Sequence, residues 1–487
     1  MEEMVSPSGL KVIYMRYFIS FLLISVFSGV YAQKLSRDKQ IEDFDYLVNE
    51  LRLRHQGLYE YQSKDKVDYA LDSIRAALTR QSTLDFYKTL RYTIGLTNEG
   101  HTSIDLPKWT MIKLGLSKSF LPLSVKFLGN ELVVNQNYGK DKVGVKKGDR
   151  IISVNGKSIT EITNHIFPLI PTDGFNTTSQ YAWSGGINFS LLYRLVYGKT
   201  KRYVLELEEY GTGKQKNVTI PAVRFTSFKS KKAKLPYSHF DYQDFMFEQI
   251  NDSIAYLSIP GFGEDDFDYE TYYKEQFKKI DSLKISHLII GIQYNGGGTE
   301  GNENLLYSYL DNKRIRKYAK VTMLPAPYER NKEDEDYIFD KWQLKGAIAE
   351  RGDFTLYSDY YSDLEYEKPM DNLVYTGKVY VLISGKTFSG GAEFASLVKM
   401  SDRGIFIGEE VGGAYEGNVS GYAEYVELPN SKIEVKVPTV HFQINVDPKV
   451  KGHGVMPDHE AHLTWDDYMH GNNSLKDYTV QLILEGE

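Results

Sequence analysis

The stretch SGKTFSGGAEFASLVKM, Ser384 to Met400, decides how the chain is read. Val379 to Ile383, just before it, is short, apolar and β-rich, the pattern of a buried strand. After it, Phe394, Leu397 and Val398 recur on one face of a helix. Ser389 falls where the small-residue turn meets that helix. The first amides of a helix have no intrahelical acceptor, so N–H groups there can face a developing negative charge. A serine that only caps a glycine-rich helix start fits the same residues. The pattern is not G-x-S-x-G, which argues against an ordinary α/β-hydrolase.

Upstream, IIGIQYNGGGTEGNENLL, Ile289 to Leu306, repeats the arrangement of an apolar strand running into a flexible turn. Gly296, Gly297 and Gly298 let backbone approach a ligand closely and expose N–H donors; a plain turn is the other reading. The run lacks the Lys-Ser/Thr ending of a P-loop and the spacing of a dinucleotide fingerprint. A hydroxyl nucleophile needs a base. Of the ten His, His101 stands out in EGHTSI, directly after a break at Asn98–Gly100 and before a short strand-like segment, with His441, His453, His459 and His462 as later rivals. No His-Glu-x-x-His occurs, the late histidines match no zinc spacing, and EDEDY at Glu333–Tyr337 lacks the glycine and final Glu of a calcium loop, so neither metal nor cofactor is expected.

Strands at Ile254–Ile259, Leu288–Ile292, Val379–Ile383 and Ile405–Ile407 alternate with helices at Tyr272–Leu283, Asn304–Tyr309 and Gly391–Met400, which predicts a mixed α/β layer around a buried sheet. Antiparallel strands are expected in Gly421–Leu428 and Lys432–Val437. Toward the N-terminus, Phe44, Leu47 and Leu51, then Val67, Leu71, Ile74 and Leu78, then Phe86, Leu90 and Ile94 recur at helical spacing and predict a small helical domain. Between these, Leu123–Leu128, Glu131–Asn135 and Tyr203–Leu207 are candidate strands, and Asn155-Gly156 within GVKKGDRIISVNGKSI (Gly144–Ile159) marks a hairpin.

The 487 residues exceed what one core serves, and 41% hydrophobic with 25% charged content is that of a globular protein. A net charge of −7 without a basic stripe argues against nucleic acid as a partner. Residues 15–32, MRYFISFLLISVFSGVYA, read as a cleaved export signal: Arg16, an apolar Phe18–Phe27 too short to span a bilayer, then Val30 and Ala32 before Gln33. Met15 fits such a signal better than Met1 as the first residue. The chain has no Cys, so disulfides and a thiol nucleophile are excluded.

Together TFSGGAEF (Thr387–Phe394), LIIGIQYNGGG (Leu288–Gly298), IGEEVGG (Ile407–Gly413) and GHGVMPD (Gly452–Asp458) resemble the tail-specific, or C-terminal processing, serine peptidases, and Gly144–Ile159 is similar to part of their PDZ-like domain. The resemblance implies an α+β chain with an export signal at 1–32, an N-terminal helical domain at 33–106, a PDZ-like β domain at 107–228 and a mixed α/β peptidase domain at 229–487. It implies Ser389 as nucleophile and, as oxyanion donors, the N–H groups of Gly390 and Gly297. The branch with a lysine base would place it near Gly413, Ala414 and Tyr415, where this chain has none; the tricorn-like branch uses a His ahead of the PDZ-like unit, which Gly100-His101-Thr102 resembles, so His101 is the implied base. A third member stays open among Glu409, Glu410 and Glu393. Where the family strand carries Asp, Arg and Gly, this chain has Gly291, Gln293 and Tyr294. The implied partner is a peptide or unfolded protein, added to a strand edge of the PDZ-like unit, and the implied place is periplasmic or secreted, without a stable membrane span. A peptidase-like protein that binds peptides or apolar ligands without cutting them is the alternative.

Overall fold

The structure is a computed structural model that describes residues 34–486 apart from 140–143, 229–243, 265–266, 314, 328–347, 350–355, 358–372 and 449–450. The export segment at 15–32, the acidic run at 333–337 and the basic residues from 229 to 234 lie outside the described residues.

Three helices open the chain, α1 (Arg37–Arg54), α2 (Lys64–Ala77) and α3 (Thr83–Gly95). The Ser36 and Ser82 side chains accept from Lys39 N and Asp85 N and so cap the first and third. Then follow β1 (Ser103–Asp105), α4 (Lys108–Leu116), β2 (Leu123–Leu128), β3 (Glu131–Asn137), β4 (Arg150–Val154), β5 (Lys157–Ser158), α5 (Ile159–Ile166), α6 (Thr178–Ser184), α7 (Asn188–Tyr197), β6 (Arg202–Glu208) and β7 (Gln215–Pro221). The second half holds β8 (Met246–Gln249), β9 (Ile254–Ser258), α8 (Tyr269–Ser282), β10 (His287–Gly291), α9 (Asn302–Ser308), β11 (Tyr318–Met323), the two-residue β12 (Ile348–Ala349) and β13 (Leu356–Tyr357), β14 (Lys378–Ile383), α10 (Gly390–Met400), β15 (Ile405–Gly408), β16 (Gly417–Glu427), β17 (Glu434–Ile444), β18 (His459–Glu460), α11 (Trp465–His470) and α12 (Ser474–Leu484).

The central sheet of the second half runs β18-β15-β14-β10-β9-β8, parallel except for β8. Its strands are apolar on both faces because both are covered. Ala255, Leu257, Leu288, Ile290, Val379 and Val381 face Tyr273, Phe277, Leu306, Phe394 and Leu397 of α8, α9 and α10. The alternate residues Ile254, Tyr256, Ile289, Tyr380 and Leu382 pack with Ile483 of α12. The chain leaves β10 and β14 at their carboxyl ends, so both glycine-rich turns emerge on one edge of the sheet, where open α/β sheets bind ligands.

A second sheet, β1-β17-β11-β13-β12 with β16 on β17, joins the two ends of the chain. Ile104 of β1 pairs with Val435 of β17, and Phe44, Leu47, Leu51, Phe86, Leu90 and Ile94 share one core with Val426, Leu428, Ile433, Val435 and Val437. Each such buried side chain contributes about 1.5–3 kcal/mol, so the helical lead-in is stabilised by strands more than three hundred residues away. The expected N-terminal helices are present, but their core is not their own.

The third sheet, β2-β3-β4-β6-β7 with β5 on β4, closes over α5 and α7. Asn155 and Gly156 take φ of 52° and 76° at the β4–β5 hairpin, the turn that the dipeptide foretells. The sequence pattern predicts a β domain here; the unit is α/β, an architecture consistent with a PDZ-like accessory domain. Its helices escape the sequence pattern because they are short and, in NFSLLYRLVY of α7, apolar and aromatic around most of their circumference, which blurs the helical period. Among the described residues no helix is long and apolar enough to cross a membrane.

Candidate active site

Thr387 ties the turn after β14 to the end of β10: its Oγ1 donates to Ile292 O (2.9 Å), and Phe388 N donates to Asn295 O (3.0 Å). Ser389 then takes φ 52° and ψ −129° before α10 begins. A side chain is costly in that conformation, about 1–3 kcal/mol, and such strain collects at functional sites. Ser389→Gly should therefore melt above Ser389→Ala, by about 1 kcal/mol of stability, measured by urea or thermal unfolding; equal stabilities would remove the strain argument.

The glycine run packs against this turn. A Cβ on Gly297 (φ 96°) would lie 2.6 Å from Ser389 Cβ and 2.7 Å from Gly390 N, so only glycine fits. Asn295 is fully buried and shapes the run: its Nδ2 donates to Ile259 O (3.1 Å), and its Oδ1 accepts from Gly297 N (2.8 Å). The Gly297 N–H expected to face an oxyanion is thus held by a side chain of its own loop. Among the described residues, Gly390 N and Gly298 N have no acceptor, and Gly298 N is 3.7 Å from where a Cβ of Gly390 would stand.

His101 lies in the turn between α3 and β1, which β1 anchors to β17. Its ring stacks on Phe388, the residue before Ser389, with centroids 4.6 Å apart. Nδ1 sits 2.9 Å from Glu99 Oε1, while Nε2 is buried without a partner. Glu99 Oε2 accepts from Val419 N of β16 (2.8 Å). Asp173 Oδ1 accepts from Gly100 N (2.8 Å), and oxygen and nitrogen atoms of Glu99, His101 and Asp173 all fall within 4.8 Å of one another. No second group of three such side chains converges among the described residues. Burial lifts Glu99 to about 7, raises Asp173 well above the carboxylate range and lowers His101. A Cβ on Gly413 would be 3.5 Å from Asp173 Oδ2 and 3.6 Å from Ser389 N, so the His101 cluster and the serine turn converge on one spot. Ser389 Oγ and His101 share no hydrogen bond.

The other candidates go elsewhere. Glu410 Oε1 pairs with His453 Nδ1 (3.0 Å) and accepts from Gly454 N. His441 is half-buried in β17 opposite Val419. Glu409 is influenced by His462, Glu460 and Lys126. Glu393, on the first turn of α10, joins a buried ionic cluster: fully buried Lys317 bridges it to Glu303, and Tyr318 OH donates to it at 2.7 Å. Lys317→Met would leave two acids without their cation and should cost about 3–5 kcal/mol, read as a lowered urea midpoint; an unchanged midpoint would mean that the acids simply take up protons. Sequence reasoning passed over Glu99 and Asp173. The triplet EGH itself carried the signal for Glu99, whereas nothing local marked Asp173.

On the accessory side, β2 is an edge strand, but its Val125 already exchanges hydrogen bonds with Gly186, so this edge is partly taken by the chain itself. A groove of about 650 Å³ remains beside it, lined by Val125, Phe127, Tyr181, Tyr294, Gly385 and Lys386, and so runs from the strand edge to the turn that leads into Ser389.

Residues 253–461 match the model of peptidase family S41. No curated protein matches the chain in sequence. The fold is similar to that of mature CPAF complexed with lactacystin, at 15% identity over 92% of this chain and 99% of that one with a TM-score of 0.63, and to that of mature CPAF alone, at 14% identity over 92% and 98% with a TM-score of 0.61. At such identity these two likenesses show the fold; the family rests on the match over the central sheet and both glycine-rich turns. By that match residues 253–461 carry a peptidase family S41 domain, the family of the tail-specific serine peptidases that the motifs resemble.

Proposed function

We propose that the chain is an exported serine endopeptidase that cuts peptides or unfolded proteins near their C-termini. Ser389 attacks the peptide carbonyl, His101 takes its proton and returns it to the leaving amine, and Glu99 orients His101 through Nδ1. Gly390 N–H faces the oxyanion, and Gly298 N–H, rather than the side-chain-held Gly297, is the second donor. The third member is Glu99 in place of Glu409, Glu410 or Glu393. The observation that carries this reading is the strained Ser389 at the start of α10, beside unpaired N–H groups and one residue from the aromatic ring on which His101 stacks. Substrate lies in the groove between β2 and the Gly385–Lys386 turn, with its strand pairing limited to the stretch of β2 that Gly186 leaves open.

The missing Ser389–His101 hydrogen bond favours a second reading, a peptidase fold that binds without cutting. Apo sites often tighten only around substrate. Reaction with an active-site serine phosphonate, followed by intact mass and peptide mapping, separates the two: one adduct at Ser389 supports the enzyme, and none on folded protein, with or without added peptides, supports the binder. A mature N-terminus at Gln33 in cell-envelope or culture fractions would support export, and an intact Met15 start in the cytoplasm would count against it.

A further inference from the structure

The loop that carries Asp173 comes from neither side of His101 in sequence, yet it closes over the Glu99 turn. It lies just ahead of α6 and is pinned to loops around the central sheet. Phe175 N donates to Gly452 O (2.8 Å), Asn176 Nδ2 to Val411 O (2.7 Å) and Thr178 Oγ1 to Glu410 O (2.8 Å). At Gly174 a Cβ would stand 2.4 Å from Gly452 Cα. So held, Asp173 is 1% exposed. Its Oδ1 accepts from Gly100 N, its Oδ2, sealed in the same pocket, meets no donor, and its carboxyl lies within 4.8 Å of that of Glu99, in hydrogen-bonding contact with it. Two buried carboxylates at that range cannot both stay charged, and one proton between them satisfies both.

We propose that Asp173 is a positioning residue for the base: it stays a carboxylic acid, donates its proton in a hydrogen bond to Glu99, and so leaves Glu99 as the carboxylate that accepts from His101 Nδ1. The inference rests on the Ser389–His101–Glu99 reading above. No proton leaves the pair during turnover; Asp173 only keeps it in place. Burial raises both acids, in keeping with a retained proton. The charged and titratable groups around the pair are His101 and Tyr61 beside Asp173, Glu393 of α10 and Lys436 of β17 acting on His101, and Glu60 and Glu416 acting on Tyr61. An acid with a raised pKa keeps its proton through neutral pH and loses it above, so ionisation of the pair sets the alkaline limb of activity, while His101, lowered by burial, sets an acid limb below the ordinary imidazole range.

The test is the rate of phosphonate labelling at Ser389, with kcat and KM on a peptide, from acid to alkaline pH for wild type, Asp173→Ala and Asp173→Asn, each checked by circular dichroism and melting. Asp173→Ala is expected to lower kcat by about tenfold or more with KM changed by about twofold or less. Asp173→Asn, whose amide can still donate to Glu99 and accept from Gly100 N–H, is expected to restore most of that loss and to move the alkaline limb up by about one pH unit or more. A folded Asp173→Asn as slow as Asp173→Ala would show that a charged carboxylate is needed and overturn the proposal. An alkaline limb left in place by Asp173→Asn would overturn it too, and this comparison stands even where Asp173→Ala fails to fold. Loss of wild-type labelling in EDTA would put a cation where the proton is placed, and would equally overturn it. If wild type is labelled and His101→Ala labels equally fast, the reading of the base has failed first, and this inference falls with it.

Discussion

Ser389→Ala is expected to abolish phosphonate labelling and to lower kcat on a peptide substrate by about 10³ to 10⁶. The hydroxyl is the only atom removed, and the backbone turn around it is fixed from both sides by Thr387 and Asn295, so the loss measures chemistry and not folding. The residual rate should come from the Gly390 and Gly298 amides and from binding alone. Adding His101→Ala should then change little, because a base without its nucleophile has nothing to act on. The double variant, assayed beside both single variants, checks this. A further large drop would mean that His101 serves another step, and undiminished hydrolysis in Ser389→Ala would place the nucleophile elsewhere.

Glu99→Gln should be nearly as severe, a fall in kcat of about 10² to 10⁴ with KM little changed. Glu99 receives Val419 N on one oxygen and His101 on the other. A glutamine has a single acceptor oxygen. If that oxygen serves Val419, its amide faces Nδ1 and drives the imidazole proton onto Nε2, the nitrogen that must accept from Ser389. If it is turned the other way, two N–H groups collide at Val419. The tautomer shift can be read directly from the ring nitrogen NMR shifts of His101, in addition to the rate. Glu99→Gln with full activity and an unmoved His101 would exclude Glu99 as the orienting group and return the question to Glu393, whose carboxylate lies on the first turn of α10 and raises His101 through space.

The extent of sequence legibility differs from element to element. Strands β9, β10, β14 and β15 were readable almost to the residue because each is a short, near-continuous apolar run ended by glycine or polar residues, the pattern of a strand buried on both faces. The Asn155-Gly156 hairpin was readable because only that turn type tolerates two positive φ values in succession. Helices α5, α6 and α7 were not, since seven to ten residues give fewer than three turns of period. The Lys317 cluster was equally opaque: nothing local distinguishes a buried lysine from a surface one until Glu303 and Glu393 are brought against it.

The sequence by itself determined the parts whose physics is local: the strand-turn-helix around Ser389, the glycine run that must approach it, and the Glu99-Gly100-His101 turn. Tertiary structure alone decided how those parts are used. Only folding puts His101 on Phe388 and Asp173 against Glu99, because these contacts are set by long-range packing of the first helices on β16 and β17 and by the pinned loop before α6. Hydrogen bonds and burial between segments far apart in the chain leave no period or spacing in the sequence, and it is these that bring the His101 cluster to the Ser389 turn and shift the protonation of its buried groups.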